Sequence, residues 1–272
     1  LCELRLWLSV VIDSDESDPL AVAPLPNLDR NIRVGDALSG ASFDDAPPVA
    51  APAALARLRG RYARSVGVRK RSLARALDRE ERHAAVAIAA RELERLSSHR
   101  RDLLSAARSH DLFRERRPPA PDRQQEIDRL RARSREARRR AAALRGGAPL
   151  PFSFPAHFAD VGAQRGFDLV LGNPPWVRIH QIPPATRDAL RERYRAFREA
   201  AWASGAAEAG AGRAFAGQVD LASLFVERAV SLVRPGGAIA LVLPVKLWRS
   251  LAGGGVRRVL TDGTELRALE DW

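Results

Sequence analysis

Apolar and polar positions change their spacing along the chain, and each change predicts a different element. Residues 4–12 are apolar except for Arg5 and Ser9, and the phase of Leu4, Leu6, Trp7, Leu8, Val10 and Val11 predicts the buried end of a helix. A polar break at 13–19 and the prolines Pro24 and Pro26 close it. Asn31 to Asp36 is short, alternating and β-branched, and predicts a strand running into a Gly-Asp turn. Residues 46–60, with Pro47, Pro48, Pro52 and many alanines, predict a linker. A long helix follows over 72–106, with Val86, Ala89, Leu93 and Leu96 on its apolar seam. Pro118, Pro119 and Pro121 must interrupt it, because proline removes a donor and clashes with the preceding turn. A second helix with Ile127, Leu130, Ala137, Ala141 and Leu144 on one seam stops at Gly146-Gly147. Two narrow seams joined by a proline-rich turn predict an antiparallel helical hairpin.

From residue 151 strands alternate with helices. Phe167 to Leu171 predicts a buried strand, with helices at about 185–200 and 220–234. Val233 to Gly237 reads as a turn, and Ala238 to Leu243 as a second buried strand closed by Pro244. An amphipathic helix through Val256, Val259 and Leu260 leads to a last candidate strand over 266–272. Near-continuous apolar strands between helices predict an α/β fold with a doubly wound, mostly parallel sheet covered on both faces. The helical hairpin interrupts it. The expected division is therefore 1–45 and 151–272 for the two parts of the α/β domain, and 46–150 for a basic insertion. Ligands of such sheets bind beyond the carboxyl ends of the strands.

Charge sharpens this picture. The 272 residues carry 45 basic and 33 acidic side chains, for a net charge of +12. Residues 51–147 hold 27 of the basic and 12 of the acidic residues, so the excess belongs to the hairpin. A localised basic block points to a nucleic acid or another polyanion, unless it is simply a solvated helical face in an arginine-rich composition. The single cysteine, Cys2, excludes a disulfide framework and reads as a packed small residue. No apolar run approaches the roughly 18 residues of a membrane span, and no leader pattern is visible, so the expected location is the cytoplasm. A chain that begins at Leu1 and holds no methionine is expected to be a fragment or a processed product. The five histidines show no metal-ligand spacing, no acidic cluster has a nuclease-like pattern, and no metal is expected. Gly253-Gly254-Gly255 lacks the following lysine of a phosphate loop and reads as a flexible turn.

The chemistry concentrates at Asn173-Pro174-Pro175-Trp176, directly after the first strand. Both prolines stiffen the loop and leave their carbonyls without a competing amide. Asn173 adds a side-chain acceptor and Trp176 a flat face. Together they could hold a planar group with an exocyclic amine. Two acceptors out of the ring plane would draw the nitrogen lone pair out of conjugation and towards an electrophile. The bland alternative is a rigid strand-to-helix loop on which Trp176 merely packs.

Phe167-Asp168-Leu169-Val170-Leu171-Gly172-Asn173-Pro174-Pro175-Trp176 resembles the catalytic motif of amino-methyltransferases that use S-adenosylmethionine, in particular the N6-adenine-specific DNA methyltransferases of restriction–modification and phage-defence systems. Phe152-Ser153-Phe154-Pro155 and Phe158 resemble the lead-in of their large members. The stretches from Asp220 to Leu243 and from Pro244 to Trp248 resemble the segments that follow. Ile32-Arg33-Val34-Gly35-Asp36-Ala37-Leu38 resembles the cofactor-side strand. The resemblance implies a Rossmann-like methyltransferase domain. It implies that Asp36, beside Ala37, accepts from the adenine amine of S-adenosylmethionine. Asn173 and Pro174 would hold the target N6, Trp176 would stack on the target base, and Pro175 would shape the floor between substrate and cofactor, with Asn173 and Pro175 also contacting the cofactor. The implied partner is double-stranded DNA with a flipped adenine. Methylation of an RNA base or a protein glutamine, and an inactive DNA-binding remnant, stay open as alternatives. The family's glycine-rich cofactor loop would precede Leu1, and its target-recognition region, with any nuclease, would lie outside these residues. The isolated chain is accordingly expected to bind the cofactor poorly and to transfer no methyl group.

Overall fold

The computed structural model describes residues 2–12, 18, 27–43, 52–107, 121–162, 164–199 and 219–270. The chain divides into two units, residues 1–35 with 44–163 and residues 36–43 with 164–272.

The first unit is helical. The predicted N-terminal helix forms as α1, Cys2–Ile12, but Leu4, Leu6, Leu8, Val11 and Ile12 are exposed rather than buried, and so is Cys2. An apolar run encodes a helix locally; which surface covers it is decided elsewhere. Residues 31–36 do not form the expected strand. The amides of Asn31 and Ile32 turn back onto the Leu28 carbonyl at 2.8 and 3.0 Å, and Val34 is 96% exposed. The second half of the expected linker is helix α2, Pro52–Ala63, with proline in the first turn where a missing amide costs nothing. Residues 46–51 lie outside the described part. Asn27 holds the end of α2, its Nδ2 donating to the carbonyls of Tyr62, Ala63 and Ser65 at 2.8–3.2 Å.

Helices α3, Gly67–Ala107, and α4, Pro121–Arg145, form the antiparallel pair. Arg82 donates to the carbonyls of Leu144 and Ala148, whereas Leu96 packs with Leu130 and Ala137. The α4 seam is the predicted one with Ser134 added. On α3 the buried row is Leu73, Leu77, Glu81, Ala85, Ala89 and Leu96, and Val86 and Leu93 are only partly buried beside it.

Glu81 sits on that row as a buried carboxylate. It pairs with Arg33 and lies 3.8 Å from Arg59, which also pairs with Asp160 at 3.0 Å and donates to the His157 carbonyl. Short helices α5, Phe154–His157, and α6, Ala159–Gly162, carry these partners. Burial, reinforced by the charges of Arg33 and Arg59, holds the His157 imidazole below the usual histidine value, against its backbone contact with Ser153. The unfolded chain therefore takes up this proton first. Stability contributed by neutral His157 is complete above a pH of about 6.5 and declines as pH falls below it. Denaturant midpoints at pH 7.5 and 5.5 should diverge more for the wild type than for His157→Gln; equal divergence would refute this.

In the second unit, β1, Phe167–Gly172, pairs in parallel with β2, Val233–Leu241. Residues Val233 to Gly237, expected as a turn, belong to β2 as an irregularity. The register passes from Phe167↔Val233 to Leu169↔Ala238, so the extra residues bulge out of the ladder. Gly166 makes the entry to β1 possible. Its φ is +135°, and a Cβ there would stand 2.5 Å from the Leu232 carbonyl oxygen.

Between the strands run α7, Pro184–Arg193, α8, Arg195–Arg198, and α9, Leu221–Leu232. Residues 200–218 lie outside the described part. Helix α9 packs on both strands. The strands are not buried on both faces as expected: Leu169 is 52% and Leu171 67% exposed, and Val242 is exposed just past β2. The core instead gathers among the helices, around Leu224, Phe197, Ile179, Val219 and Val256.

Beyond β2 come α10, Lys246–Arg249, and α11, Gly254–Gly263. The triple glycine is not a loose turn. Gly255 is buried in α11, and a Cβ on it would stand 2.4 Å from the Ala196 carbonyl oxygen, so the glycine permits close helix contact. Residues 264–270 form no strand, and 271–272 fall outside the described part. The architecture is mixed α/β, with a two-stranded parallel sheet among the described residues.

Candidate functional site

Strand β1 ends where the Gly172 carbonyl accepts from Val242 N at 3.0 Å. The chain is fixed again four residues after Asn173. Leu221 N donates to the Val177 carbonyl at 2.8 Å, Ile179 N to the Val219 carbonyl at 2.9 Å, and Arg178 forms an antiparallel bridge with Asp220. Asn173-Pro174-Pro175-Trp176 thus spans from the end of β1 to the start of α9. Each proline also restricts the residue before it to extended backbone, so Asn173 and Pro174 have little freedom left. Pro174 is buried; Asn173 and Pro175 are exposed, and Trp176 is 54% exposed. A large aromatic face in that position is available to a planar ligand.

The edges of this loop are tied electrostatically. Asp220, 4% exposed, caps α9 by accepting from Ala222 N at 3.1 Å and pairs with Lys246 Nζ at 2.7 Å. Segment 244–250, which follows β2, is thereby bound to the start of α9, where Asp220 bridges to Arg178. Arg257 Nη1 then holds the carbonyls of Leu247, Trp248 and Ser250 at 2.9–3.0 Å.

Asp36 and Ala37 belong to the same unit, though on a turn rather than a strand. Asp36 Oδ1 accepts from Leu38 N at 2.9 Å, and the Asp36 carbonyl accepts from the Ser39 amide and hydroxyl. The carboxylate side chain is exposed. Leu38 is buried in the helical core, and Phe43 packs edge-on against Phe167 at the start of β1, with centroids 5.6 Å apart. Tyr194 Oη donates to the Leu38 carbonyl at 2.8 Å, and burial pushes that phenol up to about 12. Arg228, 4% exposed on α9, donates to the carbonyls of Ala37, Ser39 and Ala41 at 2.9–3.3 Å.

The arrangement offers an exposed carboxylate on a braced turn and an acceptor with an aromatic face on a braced loop. The residues present therefore suit a ligand carrying an amine for Asp36 and a planar amine for Asn173. The motifs of the sequence did not reveal the supports: Arg228, Tyr194, Lys246 and Arg257. One signal was present for Arg228, which lies four residues from both Leu224 and Leu232 and so falls on the buried face of an apolar helix. Tyr194 gave none.

In the first unit, α4 displays exposed Arg135, Arg138 and Arg139. Part of its charge is used internally. Arg140 reaches Glu92 at 3.3 Å and Glu136 at 3.4 Å, and Arg131 pairs with Asp128 at 2.9 Å.

The family model of the Eco57I restriction-modification methylase matches residues 1–272, and the chain belongs to that family. No curated protein and no solved structure matches it.

Proposed function

We propose that this member of the Eco57I restriction-modification methylase family transfers a methyl group from S-adenosylmethionine to the N6 amine of adenine in double-stranded DNA, in the cytoplasm. The observation that carries the reading is the Asn173–Trp176 loop. It is rich in proline, exposes Asn173 and Trp176, and is pinned on one side to Val242 and on the other to Leu221. In this reading residues 1–45 and 151–272 build a doubly wound methyltransferase domain, and 46–150 is an insertion that meets DNA.

The cofactor supplies an electrophilic methyl group. Asn173 Oδ1 and the Pro174 carbonyl accept from the two N6 hydrogens, pulling the nitrogen lone pair out of the ring plane without a strong base. Trp176 stacks on the extruded base, offsetting the few kcal/mol that leaving the stack costs. Pro175 shapes the floor beneath it, and Asp36 accepts from the adenine amine of the cofactor.

Labelled methyl transfer with the complete gene product tests this, followed by digestion of the DNA to nucleosides. Label on N6-methyl-2′-deoxyadenosine is expected. Label on cytosine, RNA or protein would overturn the substrate, and no label anywhere would overturn the enzyme. Affinity for DNA should also fall steeply with salt, through arginine contacts to phosphates. Arg138→Gln with Arg139→Gln should flatten the slope of log affinity against log salt by about 1.8, near 0.9 for each phosphate no longer neutralised. An unchanged slope would remove the hairpin from the interface.

A further inference from the structure

We infer that Arg228 is a positioning residue for cofactor binding: it clamps the turn that presents Asp36. The inference rests on the reading of Asp36 as the acceptor for the adenine amine of S-adenosylmethionine.

The turn Asp36-Ala37-Leu38-Ser39-Gly40-Ala41 is closed locally by the Asp36 carboxylate and the Ser39 hydroxyl, which leaves the carbonyls of 37–41 to be held by other segments. Arg228 supplies the rigidity from outside. Its Nε donates to the Ala37 carbonyl at 2.9 Å, and its Nη2 donates to those of Ser39 at 3.3 Å and Ala41 at 3.0 Å. The planar fork of a guanidinium can meet several carbonyls at once, whereas an ammonium acts as a point charge. Tyr194 and Arg193 add bonds to the Leu38 carbonyl at 2.8 and 3.2 Å. Four carbonyls within five residues are therefore turned towards α9 and its neighbours. The Asp36 side chain, whose Oδ1 caps Leu38 N, is left on the exposed side. A charged group at 4% exposure is costly to desolvate, and charge-assisted bonds to carbonyls offset that cost. These bonds grip the turn of Asp36 rather than the loop of Asn173 and Trp176, so the clamp acts on cofactor affinity more than on the transfer step.

The test compares Arg228→Lys and Tyr194→Phe with wild type in the complete gene product. KM for S-adenosylmethionine should rise about tenfold in Arg228→Lys and a few-fold in Tyr194→Phe, each more than kcat falls. Hydrogen exchange at the amides of Leu38 and Ser39, which close the turn, should quicken in both variants. Faster exchange with unchanged KM and unchanged cofactor affinity would overturn the positioning role, as would a fall in kcat alone. Tyr194→Phe removes only a hydroxyl and decides the matter if Arg228→Lys does not fold. Wild-type protein that binds no S-adenosylmethionine would instead strike at the functional reading itself, and that failure is seen without any variant.

Discussion

Asn173→Ala is expected to lower kcat for methyl transfer by about 10²–10³-fold, the scale on which one preorganised hydrogen-bonding group at a reacting centre acts. The side chain is exposed at the end of β1 and its backbone is held by two prolines and the flanking strand bonds. Its loss should therefore shift folding stability by no more than about 0.5 kcal/mol. It should weaken cofactor binding far less than it slows transfer, because Asp36, the acceptor assigned to the cofactor's amine, remains. Single-turnover rates measured beside equilibrium binding would show this separation. Asn173→Asp keeps an acceptor oxygen while adding a charge, and should fall between the two. A variant that retains a third or more of the wild-type kcat would remove Asn173 from the chemistry.

The largest effect on stability is expected at Glu81. This carboxylate, 2% exposed, lies in line with Leu73, Leu77, Ala85 and Ala89 on the face that α3 turns inward. Arg33 is 16% and Arg59 11% exposed at the side chain, and both reach towards it. Burial already lowers the pKa of Arg33 from the usual arginine value, and the Glu81 charge is what opposes that. Glu81→Ala would leave two guanidinium groups close together with less to neutralise them. Removing one partner of a buried pair costs about 3–5 kcal/mol. For a protein of this size each kcal/mol moves the midpoint by about 2–4 °C, so thermal unfolding should drop by roughly 10 °C. Glu81→Gln keeps the volume and one acceptor and should lose less. A Glu81→Ala protein that melts within about 2 °C of wild type would show the network to be solvated and weak.

The Asn173–Trp176 loop was legible because all its determinants are neighbours in the chain. A β-branched and leucine-rich run, a glycine, an asparagine and two prolines specify a strand that stops and a loop that stiffens within ten residues. The helical hairpin was legible for the same reason, since a three-and-four spacing of Ile127, Leu130, Ala137, Ala141 and Leu144 states its own buried face. Boundaries failed where local signals compete. Pro52 looked like linker but serves the first turn of α2, and Pro235-Gly236 looked like a turn but bulges within β2.

The amino-acid sequence by itself determined the periodic helices, strands β1 and β2 but not the strands expected over 31–36 and 266–272, the proline-stiffened loop after β1 and the basic character of the hairpin. The tertiary structure alone decided that Glu81 and Arg228 are buried, that one side of the two strands stays exposed, and that the turn carrying Asp36 is braced from α9. The reason is range. Secondary structure follows from contacts three or four positions apart, which a pattern of residue types records directly. The bond from Arg228 to Ala37 spans 191 positions, and that from Arg59 to His157 spans 98. A charge that will be buried and one that will be solvated are written with the same residue, and only the approach of distant segments tells them apart.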